Sequence, residues 1–127
     1  MIVVDASAAL LALLNAGPAR RALVEEQLHA PHLIDSEVAN ALRRHVVGRR
    51  LTGDVAWTAL DRWRQLAVTR YPVVGLLDRV WQLRENVSGY DASYIALAES
   101  LDCSLFTADA RLGRAPGSRC SITVVPR

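Results

Sequence analysis

The stretch Ile2-Val3-Val4-Asp5-Ala6-Ser7 decides the fold. Three consecutive β-branched residues have no polar face, which suits a parallel strand buried on both sides. An acid directly after such a run is costly unless it is paired or holds a cation. Asp5 is therefore the first candidate functional residue. Ser7 predicts the N-cap of a short apolar helix, Ala8 to Leu14, which Gly17-Pro18 ends.

Working outward, Pro18 opens a second helix to about Leu28, and His29-Ala30-Pro31 reads as a short second strand. A third helix runs from Ser36 to near Gly48 with Val38, Leu42 and His45/Val46 on one stripe. Thr52 caps the next, with Trp57, Leu60 and Leu66 expected to face inward. Leu66 to Tyr71 reads as a third strand that Pro72 stops. Helices follow over Gly75–Glu85 and Asp91–Leu101, separated by Asn86-Val87-Ser88-Gly89. Ser104–Thr107 is the fourth strand and Ile122–Val125 the fifth. Strands alternating with helices predict an α/β fold, an α/β/α sandwich around a central, mainly parallel sheet of four to five strands. With 127 residues and no repeat or linker, the expectation is one domain over residues 1–127. In open α/β sheets ligands gather outside the carboxyl ends of the strands, where strand order reverses. Asp5 lies just beyond the first strand and Asp109 just beyond the fourth. If those strands are neighbours, both carboxylates stand at one edge.

Composition narrows the chemistry. Hydrophobic residues make up 51% and charged residues 22%, with a net charge of +2, ordinary for a folded domain. All 15 basic residues are Arg. The absence of Lys excludes a P-loop, a Schiff-base lysine and a lysine general base. Cys103 and Cys120 match no zinc spacing and are expected as two reduced, buried thiols. The N-terminus has no signal-peptide pattern, and the apolar stretch Ala6–Leu14 is too short to span a bilayer. The expected location is the cytoplasm, with no membrane partner.

Four acids carry the functional argument. Glu37 falls in the first turn of its helix and Asp91 opens another, where the helix dipole favours a negative charge. That alone accounts for either one. A capping turn accounts equally for Asp109 after Thr107-Ala108. Taken together they need a joint explanation, because two carboxylates ~4 Å apart repel by about 4 kcal/mol at an effective dielectric near 20. A divalent cation reverses that penalty. Mg²⁺ and Mn²⁺ prefer such oxygen donors and supply an activated water for attack on a phosphodiester. His29, His32 and His45 do not recur at metal-ligand spacing, which argues against zinc. Trp57, Trp63 and Trp81 could stack bases, but at helical spacing among leucines they are read as core or interface. Tyr90 and Tyr94 flank Asp91, where lining the site and packing explain them equally well.

Four stretches make the pattern specific: Ile2 to Ser7, Ser36-Glu37-Val38-Ala39-Asn40-Ala41-Leu42-Arg43, Tyr90-Asp91-Ala92-Ser93-Tyr94-Ile95-Ala96-Leu97-Ala98, and Leu105-Phe106-Thr107-Ala108-Asp109. In order and spacing they resemble the PIN-domain nucleases of the VapC type, the toxin half of a type II toxin–antitoxin pair. The resemblance implies that Asp5, Glu37, Asp91 and Asp109 form an acidic metal site for Mg²⁺ or Mn²⁺. It implies that Thr107 and Ser7 orient metal or water, with Asn40, one turn after Glu37, as its hydrogen-bonding support. It further implies a metal-dependent endoribonuclease, a homodimer, and a small VapB-type antitoxin whose C-terminal segment blocks the site. Arg43, Arg44, Arg49, Arg50 and Arg111 are the candidates for contact with RNA or antitoxin, against the plainer account of a solvated basic face. The stretch from Arg49 to Glu85 matches no motif. The alternative is a catalytically inactive PIN-fold module that binds RNA or a partner, which has no need of a self-repelling acid cluster. A haloacid dehalogenase-type phosphatase wants Asp where Ser7 stands, and it shares with receiver domains a required lysine that this chain lacks.

Overall fold

The computed structural model describes Met1–Arg127. Its elements are β1 (Ile2–Val4), α1 (Ala6–Leu14), α2 (Pro18–Glu25), β2 (Leu28–Pro31), α3 (Ile34–Val47), α4 (Gly53–Gln65), β3 (Val68–Tyr71), α5 (Leu77–Gln82), α6 (Gly89–Leu101), β4 (Ser104–Thr107), α7 (Ala110–Gly113) and β5 (Ile122–Val124). All five strands are parallel, in the order β3-β2-β1-β4-β5. The chain moves from β1 outward to β3, then returns to the other side of β1 for β4 and β5. Since crossovers are right-handed, this reversal puts α1 to α4 on one face and α5 and α6 on the other. Contacts agree: α1 packs on α2, α3 and α4, whereas α6 lies against α5 and across β1, β2 and β4. The expected α/β/α sandwich is the observed one.

Val3 and Val4 are wholly buried at the centre of the sheet, as an unbroken β-branched run requires. Helix α6 is buried continuously from Ala92 to Ala98, which explains why its sequence shows no polar stripe. No helix is long and apolar enough to cross a membrane. Cys103 and Cys120 are free thiols, but half-buried instead of buried.

Four expectations need correction. The N-cap of α1 is Asp5, not Ser7: the Asp5 carboxylate accepts from the Ala8 N–H at 2.9 Å. Helix α2 stops at Glu25, which frees Leu28 to start β2. Gly75–Glu85 divides into a 3-10 turn over Val74–Leu76 and the short α5. The most buried positions of α4 form the stripe Ala56, Ala59 and Trp63; Leu60 and Leu66 pack partly buried against the core as expected, whereas Trp57 is 57% exposed. The small alanines let α4 approach its neighbours closely, and the one large side chain that fits is Trp63, whose indole N–H donates to Asp35 at 2.8 Å. Trp57, rotated away from that stripe, lies beneath the Arg64 guanidinium on the outer face.

Candidate active site at the carboxyl edge of the sheet

Strands β1 and β4 are hydrogen-bonded neighbours, with Val4 opposite Phe106. They flank the point where strand order reverses, the place where open α/β sheets put their ligands. Asp5 and Thr107 therefore meet side by side. Asp5 is only 6% exposed and accepts three hydrogen bonds, one of them from the Ala8 N–H. The Ser7 hydroxyl donates to Oδ1 at 2.7 Å, and the Thr107 hydroxyl donates to Oδ2 at 2.5 Å. Ser7 also accepts from the Ala108 N–H at 2.9 Å, and Thr107 accepts from the Asp109 N–H at 3.0 Å. The two hydroxyls tie the ends of the two strands together and orient the Asp5 carboxylate. Burial pushes the Asp5 carboxyl up despite those donors, and the charge on Asp91 adds to the rise.

The other acids arrive on helix N-termini. Glu37 sits in the first turn of α3. Burial raises its carboxyl, the hydrogen bond from Tyr94 works the other way, and Asp91 and Asp5 push it up again. Tyr94, 1% exposed on α6, donates its hydroxyl to Glu37 Oε1 at 2.5 Å. Burial, followed by the neighbouring carboxylate, keeps that phenol protonated far above its usual range. Asp91 lies in the first turn of α6, behind the capping Ser88. Its carboxyl is raised by burial and then by Asp109, with Arg111 opposing. Asp109 caps α7 and accepts from the Arg111 N–H at 3.0 Å and from its guanidinium at 3.1 and 3.2 Å. Arg111 accordingly holds the Asp109 carboxyl below its usual range.

All four predicted acids thus reach one edge and raise one another except Asp109, which Arg111 screens. No three of them close into a tight cage around a single point. The oxygen-only donor set and its mutual repulsion fit a hard divalent cation that retains water and takes up phosphate, as Mg²⁺ does. They do not fit a closed structural site. Asn40 is exposed and makes no hydrogen bond to Glu37; Tyr94 makes it instead. The sequence carried a signal for this, since Tyr94 follows Asp91 by three residues and shares its helix face. Of the candidate arginines, Arg44 lines a cleft beside Glu37. Arg43, Arg49 and Arg50 are exposed beyond it, with Arg50 Nε donating to His45 Nδ1 at 3.1 Å. Arg111 is engaged by Asp109.

The raised Asp91 carboxyl has a consequence for stability. A carboxyl raised on folding favours the fold only while protonated, so its contribution is present below its unfolded value near pH 3.9 and is lost as pH rises through the folded value. Ionised Asp91 therefore opposes folding at pH 7. In metal-free buffer, Asp91→Asn is expected to melt above the parent chain at pH 7, with the gap narrowing towards pH 4 in calorimetric scans. A lower midpoint for the variant at pH 7 would show that Asp91 is not under electrostatic strain.

The chain is similar to known proteins over nearly its whole length. A family model described as PIN domain matches residues 2–118. Ribonuclease VapC9 of Mycobacterium tuberculosis is 60% identical over 127 residues, spanning 100% of both chains. The crystal structure of PAE2754 from Pyrobaculum aerophilum has a TM-score of 0.71 at 27% identity, covering 95% of this chain and 81% of that one. VapBC2 from Rickettsia felis, solved bound to a DNA fragment from its promoter, has a TM-score of 0.70 at 11% identity, with 98% and 99% covered. At that identity the likeness is one of fold.

Proposed function

The chain belongs to the PIN domain family, among its VapC ribonucleases, and from that premise we propose that it is a toxin endoribonuclease whose site is built from Asp5, Glu37, Asp91 and Asp109. The observation that carries this reading is the buried Asp5 carboxylate at the point of strand reversal, raised by burial and again by the charge on Asp91. A cluster that repels itself in this way is explained by a cation and by little else.

In this proposal Asp5, Glu37, Asp91 and Asp109 would hold Mg²⁺ or Mn²⁺, in part through the water that such an ion retains. The bound ion would make water a nucleophile near neutral pH and offset charge developing on the leaving oxygen. The chain's own residues do the positioning. Ser7 and Thr107 fix the angle of the Asp5 carboxylate through two hydroxyl donors. Tyr94 holds Glu37 from the opposite helix. Arg111, paired with Asp109 through its backbone N–H and its guanidinium, keeps that carboxylate ionised. Arg43, Arg44, Arg49 and Arg50 supply the positive surface that draws an anionic backbone towards a negative site. Membership in the family supports three further assignments within the proposal: a small VapB-type antitoxin as partner, a homodimer as the working form, and the cytoplasm as location.

The test is cleavage of single-stranded RNA by the purified chain with EDTA or with millimolar Mn²⁺, read beside a thermal melt. Cleavage is expected only with metal, together with a raised melting midpoint, since a ligand at 100 times its Kd stabilises by about 2.7 kcal/mol. Cleavage that persists in EDTA would overturn the metal assignment. Neither cleavage nor a shift would leave an inactive binding module.

A further inference from the structure

Glu37, Ser7 and Ala108 form one end of a cleft of about 390 Å³ that lies between α1 and α3. Leu10 and Leu11 of α1 and Ala41 of α3 give it an apolar floor, and Asn40, Arg44, His45 and Arg127 give it a polar rim. Arg127 Nε lies 3.5 Å from the Ala108 carbonyl, which ties this arginine to the cleft's lining. None of the chain's ion pairs uses Arg44 or Arg127. The Asn40 amide and the Arg44 guanidinium are exposed.

Resting on the ribonuclease reading above, we propose that this cleft is the subsite for the nucleotide flanking the scissile phosphate. Its base lies on the Leu10, Leu11 and Ala41 floor, its outer phosphate pairs with Arg44 and Arg127, and Asn40 reads the base edge. Connectivity favours this occupant. A nucleotide joined to the scissile phosphate must leave the acidic site through an adjoining depression, and Glu37 forms a wall of this one. Size favours it too, because small-ligand sites occupy roughly 300–1,000 Å³. The charges also alternate suitably. Carboxylates end the cleft where a cation would bridge to one phosphate, and guanidiniums rim it within reach of the next. An amide holds its donor and acceptor on two separate atoms in one plane, so it can pair with two atoms of a base edge at once, which a rotating hydroxyl cannot. An acidic peptide would match the two arginines, but it lacks the covalent link to the scissile phosphate that places a nucleotide here.

The experiment uses a series of short RNAs that differ only in the nucleotide flanking the cut, each cleaved by the full chain in saturating Mn²⁺. Arg44→Ala is expected to raise KM about tenfold, the worth of one charge-assisted hydrogen bond, with a much smaller change in kcat. Its salt dependence of binding should fall by about one unit of slope. Asn40→Ala is expected to flatten the preference at the flanking position. RNA binding to the Asp91→Asn chain with and without Arg44→Ala, followed by fluorescence anisotropy, reads the same contact without turnover. Unchanged KM, preference and salt slope in both variants would overturn the subsite while leaving the ribonuclease intact. A loss of affinity confined to a poly-glutamate peptide would overturn it in favour of a protein partner. Failure of the parent chain to cut any RNA of the series would sink the ribonuclease reading, and the subsite with it.

Discussion

Asp5→Asn is expected to lower kcat/KM for RNA at least about 100-fold while leaving the fold in place. A metal ion contributes several kcal/mol of charge stabilisation to such a transition state, and each 1.36 kcal/mol is a factor of ten. The substitution keeps the shape of the side chain and one carbonyl oxygen. With that oxygen in the Oδ1 place, the Ala8 N–H retains its cap and the Ser7 hydroxyl its acceptor, and only the Thr107 hydroxyl loses its partner. The loss should consequently appear in activity and in metal affinity, with far-UV circular dichroism unchanged. Full activity in Asp5→Asn would take that carboxylate out of the mechanism, and with it the observation on which the proposed function stands. Unfolding of the variant would instead mean that Asp5 is a structural cap first.

The second large effect concerns stability and separates two tryptophans that look alike in the sequence. Trp63 is 2% exposed and its indole N–H is bonded to Asp35, which also accepts two hydrogen bonds from Arg70. Trp63→Ala removes the packing of the largest side chain in the helix α4 interface and leaves one Asp35 bond unmade. Such truncations cost about 3–5 kcal/mol, so the melting midpoint should fall by on the order of 10 °C or more. Trp57→Ala, on the exposed side of the same helix, should move it by no more than a degree or two. Thermal melts of the two variants side by side decide the matter. An equal or larger loss for Trp57→Ala would mean that α4 is rotated relative to the arrangement described.

These two residues also mark how far the sequence could be read. Both lie on a helix whose existence and N-cap, Thr52, were plain from local pattern. Which of them faces inward depended on what they met. Leucines and tryptophans fall on several sides of α4, so apolar residues alone did not reveal its buried stripe. That stripe is Ala56, Ala59 and Trp63 because α1 and α3 approach closely enough to need small residues. The carboxylates show the same division. The four acids stood out as a set, since a helix terminus or a capping turn accounts for Glu37, Asp91 or Asp109 singly, whereas Tyr94 as the partner of Glu37 joins residues 57 positions apart. The nearer Asn40 was the natural expectation, and it faces the cleft instead.

By itself the chain determined a parallel α/β fold, through an unbroken β-branched run at Ile2–Val4 and the alternation that follows. It also singled out Asp5, because a carboxylate directly after a buried strand must be paired, capped or bound to a cation. Only the tertiary structure decided that β1 and β4 are neighbours, and hence that Asp5 meets Thr107. Strand order is set by which helical faces bury one another across the sheet, and no local pattern encodes that choice. The same reversal of strand order opens the edge to which Asp5, Glu37, Asp91 and Asp109 are brought from four distant parts of the chain.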